Sequence, residues 1–244
     1  NTMFGPSADY YAKQVTVGGC PAAILLFDGM TSLSSLWTLL LDSVDRAAQF
    51  GAQPPAGGRQ VFERLLYHSD LPAQGSPVGT TEDAVRMLTA GFALLLLDGW
   101  EQGIAFSVQS LQFRSIEEPS GEGSLRGSRE GFADLLRVNL SLLRRLVRTG
   151  DLVMEVAQAD TAMQTEYALC YCRDKADKEM VARVRGILKE AKPELLLDSS
   201  YFVPWLLPVK YRLFTPAGYT ERPAVAAAKL CEGKLVILVN GSPS

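Results

Sequence analysis

Phe92 to Leu97 is an unbroken apolar run. It follows Leu88-Thr89-Ala90-Gly91 and stops at Asp98-Gly99. The same arrangement recurs near the end of the chain, where Leu230-Cys231-Glu232-Gly233 leads through strand-like residues to Asn240-Gly241. Leu, Gly and Asp/Asn-Gly fall at matching offsets. Each copy predicts a helix stopped by glycine, a buried strand and a tight turn. After Asp98-Gly99, Ile104 to Val108 alternates large apolar with small residues, as a returning hairpin strand does.

Other elements follow from the same patterning. Ala22 to Phe27 reads as a buried strand. Ser32 or Ser34 caps a helix running to Ala47, and a shorter helix covers Arg59–Tyr67. Thr80 or Thr81 caps the next, with Glu82 and Asp83 placed where the helix dipole favours acids. The clearest stripe is Phe132, Leu135, Leu136, Asn139, Leu142, Leu143 and Leu146, with Ser128 as the expected N-cap. Asn139 interrupts that stripe, so it is expected to tie neighbouring backbone. Strands are predicted at Val153–Gln158, Glu166–Cys172 and Glu194–Leu197, and a helix at Lys178–Lys189. Alternating helices and buried strands give an α/β class. The expected architecture is two small α/β subdomains with mixed sheets, 1–115 and 116–244, joined by a charged linker.

Composition narrows the function classes. A net charge of -3 excludes general nucleic-acid binding. Apolar runs stay far below the ~20 residues of a membrane helix, and Asn1-Thr2-Met3-Phe4-Gly5 carries no signal-peptide pattern. The chain is therefore expected to be a soluble piece of something longer. Four cysteines at this length make no disulfide framework, which suggests reduced thiols and a cytosolic setting. No Cys/His cluster completes a metal site, and no cofactor is implied. His68-Ser69-Asp70 holds the single histidine. Adjacent residues do not usually supply a catalytic triad, and no G-x-S-x-G elbow exists, so a solvated loop and a non-enzymatic protein are expected.

The polar chemistry concentrates in the stretch from Arg114 to Phe132 and in Tyr219-Thr220-Glu221-Arg222-Pro223. Both mix acids and arginines with Gly and Pro, which is loop chemistry. Arg126 and Arg129 beside a helix N-terminus could grip an anion. They could equally pair with Glu118, Glu122, Glu130 or Glu221, and the abundance of acids favours such internal pairing.

Taken in order, these motifs resemble a known family. Glu118-Pro119, Arg126-Gly127-Ser128-Arg129-Glu130-Gly131-Phe132, Asn139 and Arg144-Arg145 look like the GerA-type spore germination proteins. Thr165 and Tyr171 match that family's strand pattern. Tyr219-Thr220-Glu221-Arg222-Pro223, Leu230, Glu232-Gly233 and Gly241-Ser242-Pro243 match its later signature. Departures stand at Asp134, Leu146, Asp160 and Ala224. The Arg-Gly-Ser and Ser-Pro-Ser versions are also similar to the stage V sporulation protein AF branch. The resemblance implies the N-terminal domain of a germinant-receptor A subunit, on the cytoplasmic side of the inner spore membrane. It implies B and C subunits as partners, with A-subunit self-association a further option. The expected role is signal transmission and subunit assembly through Glu118, Arg126, Arg129, Glu130, Asn139, Thr220, Glu221 and Arg222. The alternative is a sensor binding a small molecule between the two subdomains.

Overall fold

The computed structural model describes residues 4–32, 34–36, 57–67, 75–109, 128–161, 163–193, 195–206 and 217–242. Two compact units emerge, Asp9–Gln112 and Phe113–Ser244, with Thr2–Ala8 belonging to the second.

The first unit begins with β1 (Tyr10–Val17) and β2 (Cys20–Phe27). They are joined across Gly18-Gly19, both at positive φ, as a two-residue hairpin turn requires. α1 (Gly58–Tyr67), β3 (Gly75–Val78), α2 (Thr81–Thr89), β4 (Ala93–Leu97) and β5 (Gly103–Phe106) follow. The sheet order is β1-β2-β4-β5-β3. One face carries Ile24, Leu26, Leu95, Leu97, Ile104 and Phe106 against Val61, Phe62 and Leu65 of α1. Thr80 is the N-cap of α2, its hydroxyl accepting from the Asp83 N–H at 3.1 Å. Patterning missed β1 and β3: residues 11–14 are exposed on both faces, so no apolar alternation marks β1, and β3 is only the four residues Gly-Ser-Pro-Val.

The second unit contains α3 (Leu136–Leu146), β6 (Leu152–Gln158), β7 (Glu166–Cys172) and α4 (Lys178–Glu190). A 3-10 turn (Ser199–Phe202), α5 (Val203–Leu206), α6 (Pro223–Cys231) and β8 (Val236–Val239) complete it. Its sheet, ordered β6-β7-β8, is the middle of three layers. Leu152, Met154, Ala168, Cys170, Cys172 and Leu238 face α3 and α6. The alternate residues, Val153, Tyr167, Leu169, Tyr171 and Val239, face α4 and the segment around Leu196 and Phe202. Burial of β7 on both faces explains why it reads as continuously apolar.

Four details differ from expectation. Among the described residues every strand pairing is antiparallel, where mixed sheets were expected within the α/β class. β1–β2, β4–β5 and β6–β7 close as hairpins, while β2–β4, β3–β5 and β7–β8 pair antiparallel across longer connections. α3 starts at Leu136, about two turns later than the expected N-cap Ser128 implies, with Leu135 at its N-cap position. Ser128 instead turns its hydroxyl on the Glu130 N–H at 3.3 Å. Residues 195–197 form no strand; Leu196 is buried, but its carbonyl accepts from the Thr165 hydroxyl rather than from a ladder. Glu194, His68-Ser69-Asp70 and most of the helix predicted from Ser32 to Ala47 lie outside the described residues.

The internal echo is real in three dimensions. Gly91 and Gly233 both sit at positive φ after α2 and α6. Phe92 donates to the Met87 carbonyl and Lys234 to that of Lys229, at 3.1 and 2.9 Å, the same helix-ending bond in each unit.

Candidate functional site

The segment leading into α3 has little regular structure of its own, so its backbone groups must be satisfied from elsewhere. Three parts of the second unit do this, two far along the chain and one, Asn139, six residues away. The Phe132 N–H donates to the carbonyl of Glu221 at 2.8 Å. Asn139 is fully buried, and its amide closes on a single residue. Its Oδ1 accepts from the Ala133 N–H at 2.7 Å and its Nδ2 donates to the Ala133 carbonyl at 2.6 Å. Only an amide side chain offers a donor and an acceptor in that fork. The third contributor is the turn after β8. Asn240 Oδ1 accepts from the Leu136 N–H at 3.0 Å, and the Gly241 N–H donates to the Asp134 carbonyl at 2.7 Å. Asn240 thus supplies, from across the unit, an acceptor for the helix start that Leu135 has no side chain to give.

Charge reinforces the junction. Glu130 pairs with Arg145 of α3 through Oε2 and Nη2. The pairing expected at this motif named Arg126 and Arg129; Arg145 makes a pairing of the same kind with Glu130. Arg129 is exposed at the edge of the segment. Thr220 folds its hydroxyl onto the Arg222 N–H at 3.1 Å, shaping the turn into α6. Arg222 occupies the N-cap position and Pro223 the first helical position, where a missing N–H leaves no bond unmade. The structure therefore brings Glu130, Asn139, Glu221 and Asn240 onto one short segment. Glu118 and Arg126 lie outside the described residues.

Two further polar features were not legible as such. Arg144 is fully buried, although its place in the last turn of α3 suggested only a favourable dipole contact. It donates to the Thr149 and Leu152 carbonyls at 3.1 and 2.9 Å and to the Ser7 hydroxyl at 3.1 Å. Ser7 in turn accepts from the Met154 N–H at 3.1 Å, and the Ala8 N–H donates to the Met154 carbonyl at 2.8 Å. The N-terminal segment is thereby held beside β6.

The second feature is a triad of Glu155, Tyr171 and Arg185. Arg185 grips Glu155 with two bonds, 2.7 and 2.6 Å, and the Tyr171 hydroxyl donates to the same carboxylate at 2.7 Å. Burial alone would raise the Glu155 pKa. The hydrogen bonds from Arg185 and Tyr171 outweigh it and hold the carboxyl below its usual range. Burial, reinforced by the bond to Glu155, pushes the Tyr171 phenol up to about 12. Glu155 and Arg185 line a concavity of about 530 Å³ with Tyr167, Leu169 and Lys189. The triad's polar atoms are directed at one another, which makes it an ion-pair lock. Among the described residues no group of His, Cys, Asp and Glu could hold a metal ion, and none of the four cysteines is in a disulfide.

The order of these motifs can be set against known families. Residues 1–244 match the Bacillus/Clostridium GerA spore germination protein family over their full extent. The chain belongs to the GerA family. Spore germination protein KA of Bacillus subtilis (strain 168) is 27% identical over 242 residues, covering 98% of this chain and 43% of that protein. Stage V sporulation protein AF of the same organism is 30% identical over 241 residues, 98% of this chain and 48% of the relative. This GerA chain thus spans less than half the length of either relative. The crystal structure of the N-terminal domain of the A subunit of the Bacillus megaterium spore germinant receptor GerK3 superposes with a TM-score of 0.73. It is 24% identical and covers 99% of this chain and 88% of that one. That likeness establishes the shared fold. Among the described residues, no helix of the GerA chain is long and apolar enough to cross a membrane.

Proposed function

We propose that this chain is the N-terminal region of a germinant-receptor A subunit and that it acts by transmitting receptor state and holding subunits together. The observation that carries the reading is the convergence of Glu221, Asn139 and Asn240 on residues 132–136. Each uses its hydrogen bonds to fix backbone, which suits a rigid platform. In this reading the full-length protein sits in the inner spore membrane with this region on the cytoplasmic side, and B and C subunits are its partners.

The test is co-purification of full-length subunits from cells carrying Glu130→Gln, Asn139→Ala or Asn240→Ala, alongside the nutrient response of their spores. The expected result is that subunit recovery and germination fall together. Spores that assemble the full complex but no longer respond would overturn the assembly role.

A further inference from the structure

We propose that the open edge of β6 is a docking site for an extended peptide segment of a partner protein, one that carries a carboxylate side chain. The inference rests on the second unit alone and is independent of the assembly role proposed above. β6 ends the three-stranded sheet, with β7 as its ladder partner. Its bonding phase is fixed at both ends. The Ala159 N–H donates to the Thr165 carbonyl at 3.0 Å and the Arg173 N–H to that of Asp151 at 2.8 Å, both on the β7 side. Odd-numbered residues of β6 therefore bond inward, and Met154, Val156 and Gln158 turn their N–H and C=O outward. The chain itself uses this edge at Met154, whose N–H donates to the Ser7 hydroxyl and whose carbonyl accepts from the Ala8 N–H. Among the described residues, Val156 and Gln158 find no partner on the outward side.

The open stretch borders the concavity of about 530 Å³ between this sheet and α4. Its apolar walls are Ala157, Tyr167, Leu169 and Leu188, with Pro6 and Ala8 beside them. Glu155 and Arg185 also line it, but they neutralise each other through two hydrogen bonds. Lys189 stands on the same lining, is exposed and makes no salt bridge among the described residues. The concavity therefore carries one uncompensated positive charge beside apolar walls.

The occupant follows from these two features together. An antiparallel strand added at this edge makes about four backbone bonds to Val156 and Gln158. The residue between those two bonded pairs lies opposite Ala157. Opposed residues on neighbouring strands share a face, and Ala157 belongs to the face that packs on α4. That residue's side chain therefore enters the concavity beside Lys189, where a carboxylate supplies the missing charge. The residues on either side of it turn to the other face. There they cover Val156, which is 37% exposed, so apolar residues fit those positions. Backbone bonds give the affinity, and the acid sets the choice of partner.

Amide NMR titration of the protein with the terminally blocked peptide Thr-Val-Glu-Val-Thr tests this, against the same peptide with lysine at its centre. The expected result is that the Val156, Gln158 and Lys189 amides shift, and that the glutamate peptide binds about fivefold tighter or more. Lys189→Glu, a change at an exposed position of α4, should reverse the preference. No shift at those amides with millimolar peptide would overturn the proposal. So would equal binding of the two peptides, or a preference that Lys189→Glu leaves in place. Sodium acetate at the same concentration separates strand docking from simple anion binding. The same shifts with acetate alone would equally refute a peptide occupant.

Discussion

At the scale of single residues, the asparagine at 139 does the most with the fewest atoms. Its amide matches both polar groups of Ala133, and no water is needed to complete the pair. Asn139→Ala would strand a buried N–H and a buried C=O, at a cost of about 2–4 kcal/mol. Urea unfolding should show a lower midpoint with an unchanged slope. Asn139→Asp should be no rescue, because a carboxylate sets oxygen against the Ala133 carbonyl.

The Glu155–Tyr171–Arg185 lock makes a prediction about pH. The folded-state pKa of Glu155 lies below its unfolded value. Its contribution to stability is therefore present above the ordinary carboxylate range and lost as pH falls through the folded pKa. Tyr171 runs the other way. Its folded pKa, about 12, lies above the ordinary value of 10.0. The unfolded chain loses that proton first, so stability is complete below pH ~10 and declines as pH rises toward ~12. Unfolding midpoints measured across both limbs should show Tyr171→Phe flattening the alkaline limb. The acid limb should shift toward neutral pH, since Glu155 loses a hydrogen bond that favours its ionised form.

At the scale of elements, two glycines separate backbone need from coincidence. Gly233 ends α6 at positive φ, and an added Cβ would lie 2.6 Å from the Lys175 carbonyl oxygen. Gly233→Ala should lower stability by about 2 kcal/mol or more. Gly186 lies inside α4 with open space around its Cα. Gly186→Ala should raise stability by about 1 kcal/mol. Thermal melts of the two variants should move in opposite directions.

The same scale shows what patterning can and cannot reach. β2, β4, β7, α1 and α4 were legible because each buries a periodic apolar set, and α2 from its Thr80 cap and first-turn acids. β1 was not, because its residues 11–14 face solvent on both sides. The start of α3 was misplaced because the apolar stripe continues back through Phe132 and Leu135. Phe132 is buried as part of the junction without being helical, and Leu135 is exposed.

At the scale of the whole molecule, the N-terminal segment belongs to the second unit. Ser7 and Ala8 bind Met154, and Ser7 also accepts from buried Arg144. Removing residues 1–8 should therefore open β6. Hydrogen exchange should show the Met154 amide losing protection while the amides that join β4 to β5 keep theirs. Equal loss in both units would contradict this assignment.

The sequence by itself determined the α/β class, the repeated helix–glycine–strand unit and the family, because these depend on local periodicity and on motif order. It also pointed to Glu130, Asn139 and Glu221, since acids, amides and prolines set among apolar residues need partners. Tertiary structure alone decided which partners those are. Arg145 for Glu130, Phe132 for the Glu221 carbonyl and Leu136 for Asn240 are pairings between separated segments, whereas Asn139 ties neighbouring backbone as expected. A side chain's chemistry states that it requires a donor or an acceptor. Only the packing of α3, α6 and the β8 turn around one sheet determines which group comes within reach.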